Sequence, residues 1–414
     1  VRVLLSSLAL APLLACASHA AAPPAAQAIA APVPTPIAVP SAPPSSAPAA
    51  TGPAADPVRA KADAWRAAHK LIDLHMHVDA TQEHMAEAVR IMDAVGIGVG
   101  IDLSGGRTTH ARGQPSEFET TKKLADTHFP GRFLEYMNLD YAEWDSPDFA
   151  KRAVAQVEEG ARLGAAGFKE FKRLGLFLRD HKGRLLKIDD PKLDPMWRRL
   201  GELGMPVSIH VADPRAFWRP YDETNERWKE LKDHPRWWFG DPKVYPPREE
   251  LLAALERVIT RHPETTFVCV HFANNAEDLE WVDAQLAAHP NMMADVAARV
   301  PEIGRHDPDK VRALFVKYAD RIFFATDFQV YDRMTLGSGG SGPPPTEADA
   351  TDFFARHWRF FETSDKDFAH MTPIQGDWTI SAIHLPEDVL AKVYFENAEK
   401  LLARALAKAR SSAP

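Results

Sequence analysis

From Leu71 onward, short runs that are apolar at nearly every position alternate with stretches whose apolar residues recur at helical spacing. Continuous apolar runs mark strands buried on both faces, as in parallel sheets. Eight are predicted, at 71–78, 98–103, 133–139, 167–172, 206–212, 266–272, 292–297 and 321–326. Helical patterns at 83–94, 149–163, 248–260 and 308–318 fall between them, so the expected fold is α/β, a (β/α)8 TIM barrel. The doubly wound alternative needs no eighth strand, and no GxGxxG-type loop supports it.

Long insertions follow the fourth, fifth and eighth strands, which in a barrel places them over the C-terminal, catalytic face. The fifth-strand insertion, 213–247, carries Phe217, Trp218, Tyr221, Trp228, Trp237, Trp238, Phe239 and Tyr245. More than half of these rings are expected to form a satellite core beneath the loop. The eighth-strand insertion has a Gly-rich segment at 337–345 and then Phe353, Phe354, Trp358, Phe360 and Phe361, expected to form a mobile lid.

The N-terminal pattern differs. Arg2 precedes an apolar run at 3–14 that is too short to span a bilayer and reads as a signal peptide. It ends in Leu13-Leu14-Ala15-Cys16, which resembles a bacterial lipobox. The resemblance implies a signal peptide over 1–16, lipidation of Cys16, and a membrane partner through that anchor on the periplasmic side. Ala17 and Ser18 favour outer-membrane sorting, and cleavage near Ala20 is the alternative. Residues 17–58 are rich in Ala, Pro, Ser and Thr, with no Asp, Glu, Lys or Arg before Asp56, and are expected to be a disordered tether. The catalytic domain is placed at 59–414.

Composition narrows the partners. A chain of 414 residues with 45% hydrophobic content can bury one barrel-sized core. A formal charge of -8 leaves no basic excess for phosphate backbones, so small molecules rather than nucleic acid are expected. The oligomeric state is left open. With Cys16 removed from the count, only Cys269 remains, and no intrachain disulfide can form in the mature domain. Cys269 itself reads as a small core residue.

With 17 histidines, an HxH spacing is expected by chance about 0.7 times. Context gives His75 and His77 their weight: i, i+2 spacing puts both rings on one face of the first strand, at its C-terminal end. His210 and His271 end the fifth and sixth apolar runs, and Asp327 follows the eighth. One such residue is ordinarily structural; five at equivalent positions suit a Zn, Fe or Mn site that keeps a water. On the fourth strand, Lys169 and Phe171 share one face and Glu170 and Lys172 the other, so one lysine points inward. A Lys-Glu pair is the alternative to a functional lysine, and Lys172 or Arg173 is the candidate to hold an acidic substrate group. His357, His370 and His384 read as surface or lid residues. Asn274 and Asn275 read equally as turn formers and as substrate-orienting groups.

This set resembles the amidohydrolase superfamily over the whole mature domain. The segment Val393-Tyr394-Phe395-Glu396-Asn397-Ala398 resembles the branch that includes amino-carboxymuconate-semialdehyde decarboxylase. The resemblance implies His75, His77, His210 and Asp327 as metal ligands and His271 as ligand or acid/base. It also implies Lys169 as a carbamylated bridging ligand, and one or two divalent ions, zinc before iron or manganese. The implied chemistry is hydrolysis of an amide, cyclic amide or ester, with Asp327 and His271 catalytic. Decarboxylation of an unsaturated or aromatic acid is the rival, and an inactive lipid-anchored binding barrel the third reading.

Overall fold

The computed structural model describes residues 56–406, so the expected signal peptide, Cys16 and tether residues 17–55 lie outside the described part. Helix Pro57–Ala67 starts earlier than the expected domain boundary at 59. The Asp56 side chain accepts from Val58 N at 2.9 Å and Pro57 takes the first turn, a local start signal that overrides the low-complexity composition.

Eight strands pair in chain order as neighbours in a parallel sheet: β1 (Leu71–Val78), β2 (Ile97–Asp102), β3 (Phe133–Met137), β4 (Gly167–Glu170), β5 (Val207–Ile209), β6 (Phe267–Cys269), β7 (Met292–Asp295) and β8 (Ile322–Phe323). Closure comes from the residues after β8: Leu74 N donates to Phe324 O at 3.2 Å and Asp327 N to His75 O at 2.9 Å. β9 (Phe328–Val330) then continues parallel to β1, with β10 (Met334–Leu336) antiparallel to it. The result is a (β/α)8 barrel. Helices Gln82–Val95, Phe149–Leu163 and Arg248–Arg261 lie between strands as the periodicity predicts. Gly96 ends the first of these at φ +84°, and an added Cβ there would sit 2.5 Å from Arg66 Cα, so neither conformation nor space admits another residue.

Several observed strands stop short of their apolar runs. The run at 266–272 ends as a strand at Cys269, because His271, Phe272, Ala273 and Asn274 all take positive φ and form a left-handed turn. Such backbone is costly for non-glycine residues and concentrates at functional sites. Asp327 is also left-handed, at φ +61°.

The expected aromatic lid is corrected. Phe353, Phe354, Phe360 and Phe361 lie on helix Glu347–Glu362 and are buried, and Trp358 packs 5.1 Å from Phe324 at the barrel closure. Their helical spacing makes one apolar face of a wall helix. His357 and His370 are therefore buried rather than on a surface or lid; their rings donate to Phe353 O at 2.9 Å and Gly376 O at 3.1 Å. His384 is partly exposed and lies 2.9 Å from Asp56. Among the described residues no helix is long and apolar enough to cross a membrane.

Candidate active site

The C-terminal ends of the strands open into a cavity of about 520 Å³ that His75, His77, Lys169, His210, His271 and Asp327 all line. All six are buried. Strand alternation brings His75 and His77 to the same side, with their Nε2 atoms 3.2 Å apart.

The other nitrogen of each ring is tied down. His75 Nδ1 lies 3.0 Å from Asp295 Oδ2, and His77 Nδ1 lies 2.6 Å from Ser104 Oγ. His271 Nδ1 lies 2.8 Å from the carbonyl of Ala297, which can only accept. Nδ1 is thus the protonated nitrogen facing Asp295 and Ala297, and Nε2 keeps a lone pair. His210 is held from its other side: Nε2 lies 3.4 Å from Asp213 Oδ1, and its ring packs edge-on to His271 with centroids 4.3 Å apart.

Burial sets the charge states. It lowers the pKa of His75, His77 and His271 well below the usual histidine value, with nearby cations adding to the effect, so these rings are neutral. Burial lowers His210 to about 4, although Asp213 opposes it. Lys169, with Nζ 3.5 Å from His75 Nε2, is lowered by burial to about 8. Asp327 is raised by burial to about 7; its Oδ1 lies 3.5 Å from His77 Nε2 and 3.7 Å from His75 Nε2.

Whether these residues fit a metal can be tested on that geometry. The Nε2 atoms of His75 and His77 approach to 3.2 Å at the cavity wall, close enough for one ion to bind both. His75, His77 and Asp327 have ligand atoms within 4.8 Å of one another, and neutral nitrogens with a carboxylate oxygen suit a divalent transition ion. His75, His271 and Asp295 form a second such group, but Asp295 is already committed to the His75 ring and to the amides of His271 and Ala297. His210 belongs to neither group. The first group fits.

The remaining sequence readings sort by contact. Glu170 does not pair with Lys169: it accepts from the Tyr141 hydroxyl at 2.5 Å and lies 3.5 Å from Arg173. Arg173 is thereby occupied with Glu170, whereas Lys172 lines the cavity. Asn274 ties down the chain after β5, its Oδ1 accepting from Val211 N at 2.7 Å, and Asn275 accepts from Arg248, so neither reaches the cavity. Cys269 is a buried core residue. Of the fifth-strand aromatics, Phe217 and Trp237 face the cavity, while Trp218, Tyr221, Trp238, Phe239 and Tyr245 pack among themselves.

Sequence reasoning missed Asp295, Asp213, Ser104 and Arg299. Asp295 carried the same signal as the histidines, a polar residue ending an apolar run. Asp213 and Arg299 sit in loops whose course no periodicity reveals.

The amidohydrolase family model, described as Amidohydrolase, matches residues 72–404. The chain belongs to the amidohydrolase family. Among curated proteins none matches significantly. Solved structures similar to this amidohydrolase include 2,6-dihydroxybenzoate decarboxylase from Rhizobium, at 16% identity over 81% of this chain and 99% of the other, TM-score 0.44. Another is amidohydrolase 2 from Bifidobacterium longum subsp. infantis, at 13% identity over 80% and 98%, TM-score 0.41. A third is a dihydroxybenzoic acid decarboxylase from Polaromonas sp. JS666 with bound manganese and the inhibitor 2-nitroresorcinol, at 15% identity over 81% and 97%, TM-score 0.43. Amidohydrolases of this family are metal-dependent enzymes, and this one carries a His-His-Asp group able to hold an ion.

Proposed function

We propose that this amidohydrolase is a metal-dependent hydrolase that adds water to the carbonyl carbon of an amide, cyclic amide or ester in a small molecule. The observation that carries the reading is the position of Asp327, a buried carboxyl at the cavity wall beside the His75 and His77 Nε2 atoms. A divalent ion held by His75, His77 and Asp327, with His210, His271 and Lys169 as further donors and zinc before iron or manganese, would supply Lewis-acid polarisation of the carbonyl and acidification of water.

The protein's own groups divide the proton work. Asp327, raised by burial to about 7, is suited to take a proton from water and return it near neutral pH. His271, fixed through Nδ1, turns Nε2 to the cavity as the second proton carrier for the leaving atom. Lys169, lowered to about 8, is in part the free amine, the form that takes up carbon dioxide as a carbamate and becomes an oxygen donor.

A second reading, decarboxylation of an unsaturated or aromatic acid, is favoured by two cations on the cavity wall, Arg299 and Lys172, the latter beside Trp237. Turnover in 18O-labelled water separates the two. Hydrolysis places one labelled oxygen in the product and releases no carbon dioxide; carbon dioxide release without label in the organic product overturns it in favour of decarboxylation.

A further inference from the structure

Two hydroxyls link His77 to the mouth of the cavity. Ser104 follows β2, and Asp102 Oδ1 accepts from Ser104 N at 2.8 Å and from Val78 N at 3.2 Å, which clamps Ser104 to the end of β1. Ser104 Oγ lies 2.6 Å from His77 Nδ1 and 3.0 Å from the Tyr331 hydroxyl. Tyr331, between β9 and β10, lines the cavity and is 37% exposed, so the far end of this chain meets solvent. Partial burial raises its hydroxyl to about 12, and it keeps its hydrogen at neutral pH.

Ser104 has one hydrogen. If it donates to His77 it accepts from Tyr331; if it accepts from His77 its hydrogen is free for Tyr331. The other side of the His77 ring fixes which direction this geometry adopts. Nε2 of His77 faces two acceptors, His75 Nε2 at 3.2 Å and Asp327 Oδ1 at 3.5 Å. His75 holds its own hydrogen on Nδ1, toward Asp295, and has a single lone pair at Nε2, to which His77 is nearer than Lys169 Nζ at 3.5 Å. His77 therefore carries its hydrogen on Nε2, Nδ1 accepts from Ser104, and Ser104 accepts from Tyr331. Binding an ion requires the opposite, a lone pair at Nε2 and the hydrogen on Nδ1.

We infer that Ser104 and Tyr331 are positioning residues that select the tautomer of His77, and that metal uptake reverses the direction of their hydrogen-bond chain. The inference rests on the metal-dependent reading of this cavity. The protons balance: Nε2 gives its proton to solvent water, Nδ1 takes the Ser104 proton, Ser104 takes that of Tyr331, and Tyr331 takes one from water. The ring stays neutral, and this chain releases no net proton. His77 then donates to Ser104, and Ser104 to Tyr331.

The test is 15N NMR of the full chain labelled in histidine, stripped by a chelator and then loaded with zinc, with the His77 signals identified from His77→Ala. The hydrogen is expected on Nε2 in the stripped protein and on Nδ1 with zinc. Zinc affinity, read by chelator competition, is expected to fall roughly 10- to 100-fold in Ser104→Ala and to recover in Ser104→Thr. In Tyr331→Phe it is expected to fall roughly 3- to 10-fold, since Ser104 loses its acceptor only in the loaded direction. Because Tyr331 acts through Ser104, Tyr331→Phe is expected to cost nothing further in the Ser104→Ala background. Circular dichroism establishes that each variant is folded, and Tyr331→Phe gives a second route if Ser104→Ala is not. Zinc uptake with the His77 hydrogen on the same nitrogen in both states overturns the relay alone. Affinity within about twofold of wild type in both single variants does the same, as do losses that add in the double variant. Failure of wild type to take up zinc overturns the relay and the metal-dependent reading together, so the two failures are distinguishable.

Discussion

Asp295 Oδ2 lies 3.0 Å from Nδ1 of His75, and this contact decides which nitrogen of the imidazole faces the cavity. The other oxygen of Asp295 accepts from His271 N at 2.8 Å and Ala297 N at 3.1 Å. One carboxylate thus orients two of the five histidines that line the cavity, one through its ring and one through the backbone of its left-handed turn.

Asp295→Asn tests that coupling. Asparagine has one oxygen where both are in use, so either the His75 ring or the two amides lose their acceptor. The expected result is a metal affinity lower by roughly 10- to 100-fold with secondary structure retained, read by competition with a chelator. Affinity within twofold of wild type would show that Asp295 does not set the His75 nitrogen.

Asn274 supports the site from beneath. Its buried side chain accepts from Val211 N at 2.7 Å and Ala212 N at 3.3 Å and donates to Ile209 O at 3.2 Å, while its own φ is +58°. Asn274→Ala strands buried backbone groups and places alanine in a conformation it tolerates poorly. A loss of about 2–4 kcal/mol in denaturant unfolding is expected. A loss under roughly 1 kcal/mol would mean that water or a neighbour replaces the side chain.

Much of this was legible in the residue pattern, and the exceptions have physical reasons. All eight strands announced themselves because a barrel buries both faces, and His75, His77, His210, His271 and Asp327 line one cavity because each stands at the end of such a run. The left-handed turn at His271 was not legible, since nothing in Val270-His271-Phe272-Ala273 marks positive φ; contacts with Asp295 and Ala297 from the neighbouring strand hold it. The aromatic stretch at 353–361 was misread as a lid because amphipathic wall helix and lid share a composition, and only packing against Phe324 separates them. Arg299 gave no signal at all, because it reaches the cavity wall from a turn after the seventh strand, where no periodicity marks it.

A pH test concerns the buried carboxyl pair Asp102 and Glu135, opposite each other on β2 and β3. Burial, reinforced by Asp102, raises the pKa of Glu135 well above its ordinary 4.5. Because the folded value is the higher one, its contribution to stability is present below about pH 4.5 and is lost as pH rises toward the folded pKa. Glu135→Gln keeps a donor for Asp102 without the titration. The variant is expected to match wild type near pH 4.5 and to gain on it by up to about 1.4 kcal/mol per pH unit above that. A difference that does not change between pH 5 and pH 8 would contradict the assignment.

The central claim is that His75 and His77 hold a divalent ion, and metal content measures it most directly. Elemental analysis of purified wild-type protein by mass spectrometry is expected to find one or two equivalents of a divalent transition metal. The H75A/H77A variant is expected to hold a small fraction of that while its circular dichroism still reports the barrel. Full metal occupancy in that variant, or none in wild type purified without chelators and then exposed to zinc, iron or manganese, would contradict the account.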